Sequence, residues 1–171
     1  LKTVHPHPTL SEAVMEAVEQ ALAHLDEFRT QEGAILIADL LKRIDRIEAY
    51  KQEVIPFEKA RTEAIRARIR ESLAQLQTEV DNNRLEQEMI FYIEKLDINE
   101  EKHRLDNHLK YFLETLQSGK GQGKKLGFIS QEMGREINTL GSKSNHAEMQ
   151  RIVVRMKDEL EQIKEQVLNV M

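Results

Sequence analysis

The sequence predicts an all-α protein in which a long helical stalk or hairpin precedes a compact C-terminal helical domain. Apolar residues recur at helical spacing along most of the chain, and no stretch shows the alternation of a half-buried strand. The 171 residues include only three prolines and seven glycines, which leaves long uninterrupted segments. Charged residues make up 32% of the chain, more than in a typical domain, which indicates extensive solvated helix surface.

The first part of the chain is predicted to form long helical segments. Thr9 and Glu12 have the spacing of a capping box, which marks a helix N-terminus. The apolar repeat that follows is interrupted at Gly33, so one long helix or two nearly collinear helices would fit. Pro56 is expected to bend or break the helix near Ile55, because the residue before a proline disfavours helical backbone. The repeat consists of Val14, Val18, Leu22, Leu25, Phe28, Ile37, Leu40, Leu41, Ile44 and Ile47.

A third helix is expected from about Glu58 to Val80, and residues 81–83 form a candidate joint. This joint predicts a division of the chain into two parts. Residues 1–84 would form the extended helical region, as the latter part of a preceding domain and a stalk. Residues 85–171 would form the C-terminal helical domain.

Helices of the C-terminal part are separated by a glycine-rich loop at 119–123 and a turn at 141–145. The last helix repeats apolar residues at spacings of 4, 3, 4, 3 and 4, which is a heptad seam. We expect this seam to pack along another long helix, in this chain or in a neighbour. Its residues are Met149, Val153, Met156, Leu160, Ile163 and Val167.

Composition excludes several classes of protein. Cysteine is absent, so neither a disulfide framework nor a thiolate metal site exists, which is compatible with a cytoplasmic location. No apolar run reaches the roughly 18 residues that would span a bilayer. No signal peptide is visible, and the loop-like start at 1–8, with His5 and His7 beside prolines, suggests a fragment whose N-terminal part is missing or disordered.

Charge is unevenly distributed along this chain, whose net charge is −5. Segments 58–70 and 119–143 each contain five basic and two acidic residues, so each carries a net charge of +3. Two basic islands in an acidic chain could be the footprint of a nucleic acid. For 58–70 alone, a solvated helix face is the better interpretation, because most charge runs are such faces.

A first candidate site lies in the segment 100–108. Glu100, Arg104 and His108 are spaced at i, i+4 and i+8 and therefore share a helix face, and Glu101 lies on a neighbouring stripe. A histidine beside carboxylates can transfer protons near neutral pH or bind a metal. From spacing alone, an ordinary ladder of ion pairs is the favoured interpretation.

A second candidate site is the polar segment 131–143. Glu132 and Glu136 lie one helical turn apart and could hold one magnesium or manganese ion between them. Arg135 could contact a phosphate in bidentate fashion. Ser142 and Lys143 follow a glycine, where backbone N–H groups could bind an anion. Gln131 and Asn138 could orient a phosphate or a water. A charged amphipathic helix is an equally good interpretation of this spacing.

Other kinds of site are improbable. Residues 119–125 lack the spacing of a nucleotide-binding phosphate loop and fit a flexible connector better. His5 and His7 fit a linker better than a metal site. The chain contains neither an H-E-x-x-H nor a G-x-S-x-G motif, so zinc proteases and serine hydrolases are improbable.

Seven segments of the chain carry a resemblance to a known family: 84–88, 94–101, 104–109, 123–128, 131–144, 157–161 and 165–169. Arg29 and Glu32-Gly33 add an R-x-x-E-G element further upstream. Together these residues resemble the C-terminal half of the YicC/YloC family of bacterial endoribonucleases. The match spans most of the chain; it is very specific from 84 to 169 and looser before it. Gly127 is a departure, because the family often has aspartate there.

The resemblance implies RNA cleavage assisted by a divalent cation, magnesium or manganese, in a homo-oligomer, specifically a hexamer. It implies an N-terminal domain before Leu1, no membrane and no DNA partner. Under this hypothesis Glu132 and Glu136 hold the metal, and His108 acts as general acid or base beside Glu100, Glu101 and Arg135. The expected RNA contacts are Arg104, Lys124, Lys125, Asn138, Ser142 and Lys143. The alternatives are a non-catalytic RNA-binding module and a coiled-coil scaffold.

Overall fold

The computed structural model describes residues 9–75, 82–119 and 121–170. In these ranges all regular structure is helical and no strand occurs, which confirms the predicted all-α class. The segment 1–8 with His5 and His7, the helix end near Val80, Asp81 of the joint and Lys120 of the second basic island lie outside the described residues. The helices are α1 (Leu10–Gln75), α2 (Asn82–Lys95), α3 (Asn99–Gln117), α4 (Gly123–Lys143) and α5 (Ala147–Val167).

The predicted capping box begins α1. The Thr9 backbone N–H and hydroxyl both donate to Glu12 Oε2, at 2.6 and 2.9 Å. The Glu12 N–H donates in return to Thr9 Oγ1 at 3.3 Å. The Thr9 hydrogen bonds stabilise the ionised carboxylate and lower the pKa of Glu12.

Pro56 does not break α1, so the prediction of a separate third helix after Ile55 is wrong. The proline is exposed. Because proline has no backbone N–H, only one carbonyl of the helix lacks its hydrogen-bond donor. Val54 and Arg61 are buried on either side of it, at 0% and 5% exposure. Tertiary packing on both sides therefore keeps the helix continuous where local preference favours a break.

The chain divides into two compact units, Leu1–Ala38 and Asp39–Met171. In the first unit, the described residues from Thr9 onward are helical, but the predicted apolar repeat is exposed rather than buried. Its side chains are 49–60% exposed at Val14, Val18, Leu22, Leu25 and Phe28. In this unit the apolar repeat therefore predicts the helix correctly, but its side chains do not form a buried core. The predicted boundary between Arg84 and Leu85 stays a prediction.

The core of the second unit is built around α4, which packs against α3 and α5. Every residue of the heptad seam on α5 is buried, so this seam packs within the chain. The part of α1 that belongs to this unit contributes Leu40, Ile44, Ile47 and Val54 to the core. It also forms ion pairs with the other helices, for example from Arg46 Nη1 to Glu159 Oε1 at 2.8 Å. The arrangement holds α3 and α4 side by side.

Of the predicted loop at 119–123, the described residues Gly119, Gly121 and Gln122 lie between α3 and α4 outside regular structure, whereas Gly123 begins α4. Gly119 and Gly121 have φ angles of 114° and 78°, a backbone conformation that residues other than glycine rarely adopt. Among the described residues, no helix is long and apolar enough to cross a membrane.

Candidate functional site

Helices α3 and α4 run antiparallel: residues further along α3 contact residues nearer the start of α4. Three side-chain contacts show this register: Glu101–Lys143 at 2.7 Å, Arg104–Glu136 at 3.9 Å, and Lys125 Nζ at 4.6 Å from the Tyr111 ring centroid. We call the strip along these contacts the α3–α4 edge. It comprises Glu101, Arg104, His108 and Tyr111 on α3, and Lys125, Glu132, Glu136 and Lys143 on α4.

His108 and Glu132 lie in the middle of the α3–α4 edge. His108 follows Arg104 by four residues and precedes Tyr111 by three, so helical periodicity places it on the same stripe. Glu132 precedes Glu136 by four residues, also on one stripe. Both side chains are half-buried. The structure therefore brings the two predicted segments, 100–108 and 131–143, to one strip of a single chain.

The carboxylates at the exposed part of the edge are paired with arginines. Arg104 forms an ion pair with Glu100 on its own helix and approaches Glu136 across the edge. Arg135 Nη1 lies 2.6 Å from Glu132 Oε1. Both guanidinium groups are solvent-accessible, with side chains 57% and 72% exposed. Such exposed pairs are weak and can exchange partners when a phosphate arrives.

A metal site is only partly provided by this edge. Among the described residues, no group of three or more histidine, aspartate or glutamate side chains could hold a metal ion. Glu132 and Glu136 can therefore supply at most a pair of carboxylates from one chain. Magnesium sites of this kind are completed by water and substrate phosphate. The residues present thus fit a loosely held magnesium or manganese ion better than a closed protein cage.

A buried charge cluster closes one end of the α3–α4 edge. It consists of Glu58, Arg61, Glu101, Lys102 and Lys143. Lys143 Nζ binds Glu101 at 2.7 Å and donates to the Asp97 carbonyl at 3.0 Å. Lys102 Nζ lies 2.7 Å from Glu58 Oε1, which ties α3 to α1.

Arg61 is the central cation of the buried charge cluster. It donates to the carbonyl oxygens of Lys143 and Leu96, each at 2.8 Å. Burial lowers the pKa of Arg61, against the opposing effect of the charges on Glu58 and Asp97. Within the described residues, Arg61 Nε and Glu101 Oε2 are buried without a hydrogen-bond partner.

The sequence-based interpretation of 58–70 as a solvated face is therefore wrong for Arg61, which is 5% exposed. It holds for Arg66, Arg68 and Arg70, which are exposed. Nothing in the local spacing distinguishes Arg61 from these neighbours. Arg61 is buried where its guanidinium group donates to the carbonyl oxygens of Leu96 and Lys143, which are far from it in the sequence.

The outer face of α4 carries three of the six predicted RNA contacts, Lys124, Asn138 and Ser142. Its residues repeat at spacings of 4, 3, 4, 3 and 4, and all are exposed: Lys124, Phe128, Gln131, Arg135, Asn138 and Ser142. Five of the six are polar or charged. Phe128, which the sequence analysis did not select, is 69% exposed. The heptad spacing that joins it to the polar residues is the signal that could have found it.

The predicted turn at 141–145 is wrong in its first part, because α4 continues to Lys143. Gly141 serves close packing instead: a Cβ at this position would lie 3.0 Å from Val153 Cγ1 on α5. Ser142 and Lys143 thus lie at the C-terminal end of a helix, where carbonyl groups and the negative end of the dipole dominate. Backbone N–H binding of an anion at these residues is excluded, and only their side chains remain available.

Comparison with known proteins shows a family match and similarity to several relatives, of which two illustrate the likeness. Residues 54–171 match the family described as "Endoribonuclease YicC-like, C-terminal". The chain is 35% identical over 158 residues to the "Probable endoribonuclease YicC" of Clostridioides difficile (strain 630), covering 91% of this chain and 54% of that protein. It is 33% identical over 161 residues to the protein of the same name from Haemophilus influenzae, covering 94% of this chain and 56% of that protein. The chain spans about half the length of each relative.

Proposed function

Because the chain belongs to the YicC-like endoribonuclease family, we propose that it forms part of an enzyme that cleaves RNA phosphodiester bonds with the help of a divalent cation. The observation that carries this proposal is the α3–α4 edge. It brings His108, Glu132, Arg104 and Lys125, none of which is buried, from two segments to one strip, and the exposed Arg135 pairs with Glu132 beside it. General acid–base groups and phosphate-binding cations are the components that phosphodiester cleavage needs.

His108 is the proposed proton-transfer group. It is the histidine of the α3–α4 edge and is half-buried, so it combines access with a defined position. A neutral imidazole can accept the proton of the attacking hydroxyl group, and an imidazolium can donate one to the leaving oxygen. Glu100, on the same face of α3, is proposed to act beside it.

Arg104 and Arg135 are proposed to bind the scissile phosphate. Each is already paired with a carboxylate and is more than half exposed. A phosphate would compete for these guanidinium groups, because their planar forks suit two phosphate oxygens at once. Lys124, Lys125, Asn138, Ser142 and Lys143 are the further proposed contacts to the RNA backbone, and such contacts give affinity without base specificity.

Glu101 differs from the other proposed catalytic residues because its carboxylate is buried, where it pairs with the half-buried Lys143. We therefore propose that Glu101 acts by positioning Lys143 and the start of α3. Glu132 and Glu136 are the proposed metal ligands, completed by water and phosphate. A bound magnesium or manganese ion would supply charge neutralisation and activation of a water or hydroxyl group.

The test is RNA cleavage by His108→Ala and Glu132→Ala. We expect each cleavage rate to fall by about 10²- to 10⁴-fold, as for loss of a general acid or base or of a metal ligand. The unfolding midpoint should change little, since both side chains are only half-buried. His103→Ala and Glu148→Ala are matched controls, because both side chains are exposed and lie off the edge. Unchanged cleavage in both edge variants would overturn the site.

Metal assistance is tested separately by adding a chelator to the wild-type reaction. Loss of cleavage that returns with magnesium or manganese supports the cation, and undiminished cleavage removes it from the proposal. The proposed assembly is a homohexamer in the cytoplasm, and its mass is measurable by light scattering.

The alternative is an RNA-binding module with no catalytic centre of its own. The observation that favours it is the lack of a three-ligand metal group among the described residues. RNA binding by the wild-type chain without cleavage, in the presence of either cation, would select this alternative. The coiled-coil scaffold loses its main support, because the α5 seam is buried within the chain.

A further inference from the structure

Phe128 lies in an unusual position on α4. The other large apolar side chains of this helix, including Leu126, Ile129 and Met133, are buried at 4% exposure or less. Phe128 is 69% exposed and lies on the outer face of α4. An exposed aromatic ring on a helix whose other large apolar side chains are buried is available for stacking on a ligand.

The surroundings of Phe128 are cationic and polar. Lys124 precedes it by one helical turn and Gln131 follows it by three residues, so both flank it on the same face. Lys125 lies next to Lys124 and holds its ammonium group over the ring of Tyr111, which is 45% exposed. Phe128 thus lies within one turn of two lysines on α4, and one of these lysines also contacts an exposed tyrosine ring on α3.

This combination fits a nucleobase better than a protein surface. A base stacks on an aromatic ring, while the phosphate of the same nucleotide binds a cationic side chain near that ring. A protein–protein contact instead centres on a cluster of apolar residues with a polar rim. On α4, the side chains one turn from Phe128 are Lys124, Lys125, Gln131 and Glu132, none of which is apolar.

We infer that Phe128 is a stacking platform for one base of single-stranded RNA, with Lys124 binding the adjacent phosphate. The inference rests on the proposed function and extends it, because it adds a base-binding subsite beside the proposed cleavage strip. Stacking is available only to unpaired bases, so the subsite makes the site select single-stranded RNA over duplex RNA.

The experiment measures binding of a short single-stranded RNA carrying one 2-aminopurine, whose fluorescence falls when the base stacks. Affinity and quenching are recorded by stopped flow, before the strand is cleaved. We expect quenching with the wild-type chain. Phe128→Ala should bind roughly 5- to 150-fold more weakly and lose the quenching, the range found for loss of one stacking partner.

The controls separate stacking from folding and from general surface effects. Phe128→Tyr keeps a stacking ring and should retain affinity and quenching. Phe91→Ala removes a phenylalanine of similar exposure, 65%, from α2 and should behave like the wild type. An RNA with an abasic site in place of the stacked base should bind the wild-type chain as weakly as intact RNA binds Phe128→Ala.

Each other outcome overturns the inference in a recognisable way. Wild-type affinity in Phe128→Ala, with RNA still bound, removes the stacking subsite and leaves the proposed function intact. A change in oligomeric mass in Phe128→Ala assigns the ring to contact with a second copy of the chain. If the wild-type chain binds no RNA, the proposed function fails together with the subsite.

Discussion

The buried charge cluster and the exposed part of the α3–α4 edge use the same residue types for different purposes. In the cluster, Glu101 and Arg61 are each 5% exposed and hold α1, α3 and α4 together. At the exposed part, Arg104 and Arg135 are 57% and 72% exposed and pair weakly with carboxylates. Burial alone separates a charge that supports the fold from a charge that is available to a substrate.

The contrast is sharpest between two adjacent residues. Glu100 and Glu101 are neighbours in the chain and were both selected as catalytic candidates. The Glu100 side chain is 65% exposed and pairs with Arg104, whereas that of Glu101 is 6% exposed and pairs with Lys143. One helix thus offers one carboxylate to solvent and the next to the interior, because neighbouring positions differ in direction around the helix axis.

The largest effect on stability is expected for Arg61→Ala. This change leaves the carbonyl groups of Leu96 and Lys143 without their charged donor and leaves Glu58 with less neutralising charge. We expect the free energy of unfolding to fall by about 3 kcal/mol, as when a buried charged group loses its partners. Urea denaturation followed by circular dichroism measures it. Arg66→Ala is the matched control, because that side chain is exposed on the same helix. Equal stability of the two variants would contradict a structural role for the cluster.

A smaller effect should distinguish Glu101 from Glu100. Glu101→Gln removes the charge that neutralises Lys143, and we expect a loss of about 2 kcal/mol in unfolding free energy. Glu100→Gln breaks only an exposed pair and should change it by less than about 0.5 kcal/mol. At temperatures where both variants are folded, Glu100→Gln should lower the rate of RNA cleavage more than Glu101→Gln does. Similar stabilities for the two variants would remove the distinction between the buried cluster and the exposed edge.

The smallest effect concerns the salt dependence of RNA binding. Lys124→Ala and Arg135→Ala should each reduce the slope of log affinity against log salt by about 0.7, the value for one phosphate contact to a single strand. Fluorescence anisotropy at several salt concentrations measures the slope. Charge reversal at Arg66 and Arg68 serves as the control and should leave the slope unchanged. A reduced slope in that control would mean that the exposed part of 58–70 also contacts RNA.

Much of the fold could be predicted from the sequence, because helical periodicity is a local property. The capping box at Thr9 and the heptad seam on α5 were both identified from spacing. The break at Pro56 was not correct, since buried neighbours on both sides override the local preference of proline. The turn at Gly141 was also wrong, because its glycine accommodates Val153 of α5.

The candidate site was predictable in part. The two polar segments were found from composition and spacing, and the structure places them along one strip. Their separation into buried and exposed charges could not be read from spacing, as Arg61 shows. Phe128 lies off the buried face of α4, so local spacing alone did not identify its exposure as part of the site.

The sequence by itself therefore determined the helices, their apolar faces and the residue types available for chemistry. These follow from patterns within a few turns of one helix. Only the tertiary structure decided which charges are buried and which carboxylate faces a lysine. It also decided which side of α4 remains in solvent. Those properties depend on the register between α3 and α4 and on the position of α1 residues 39–75 against them. Contacts between residues far apart in the chain set that register, and no local pattern records it.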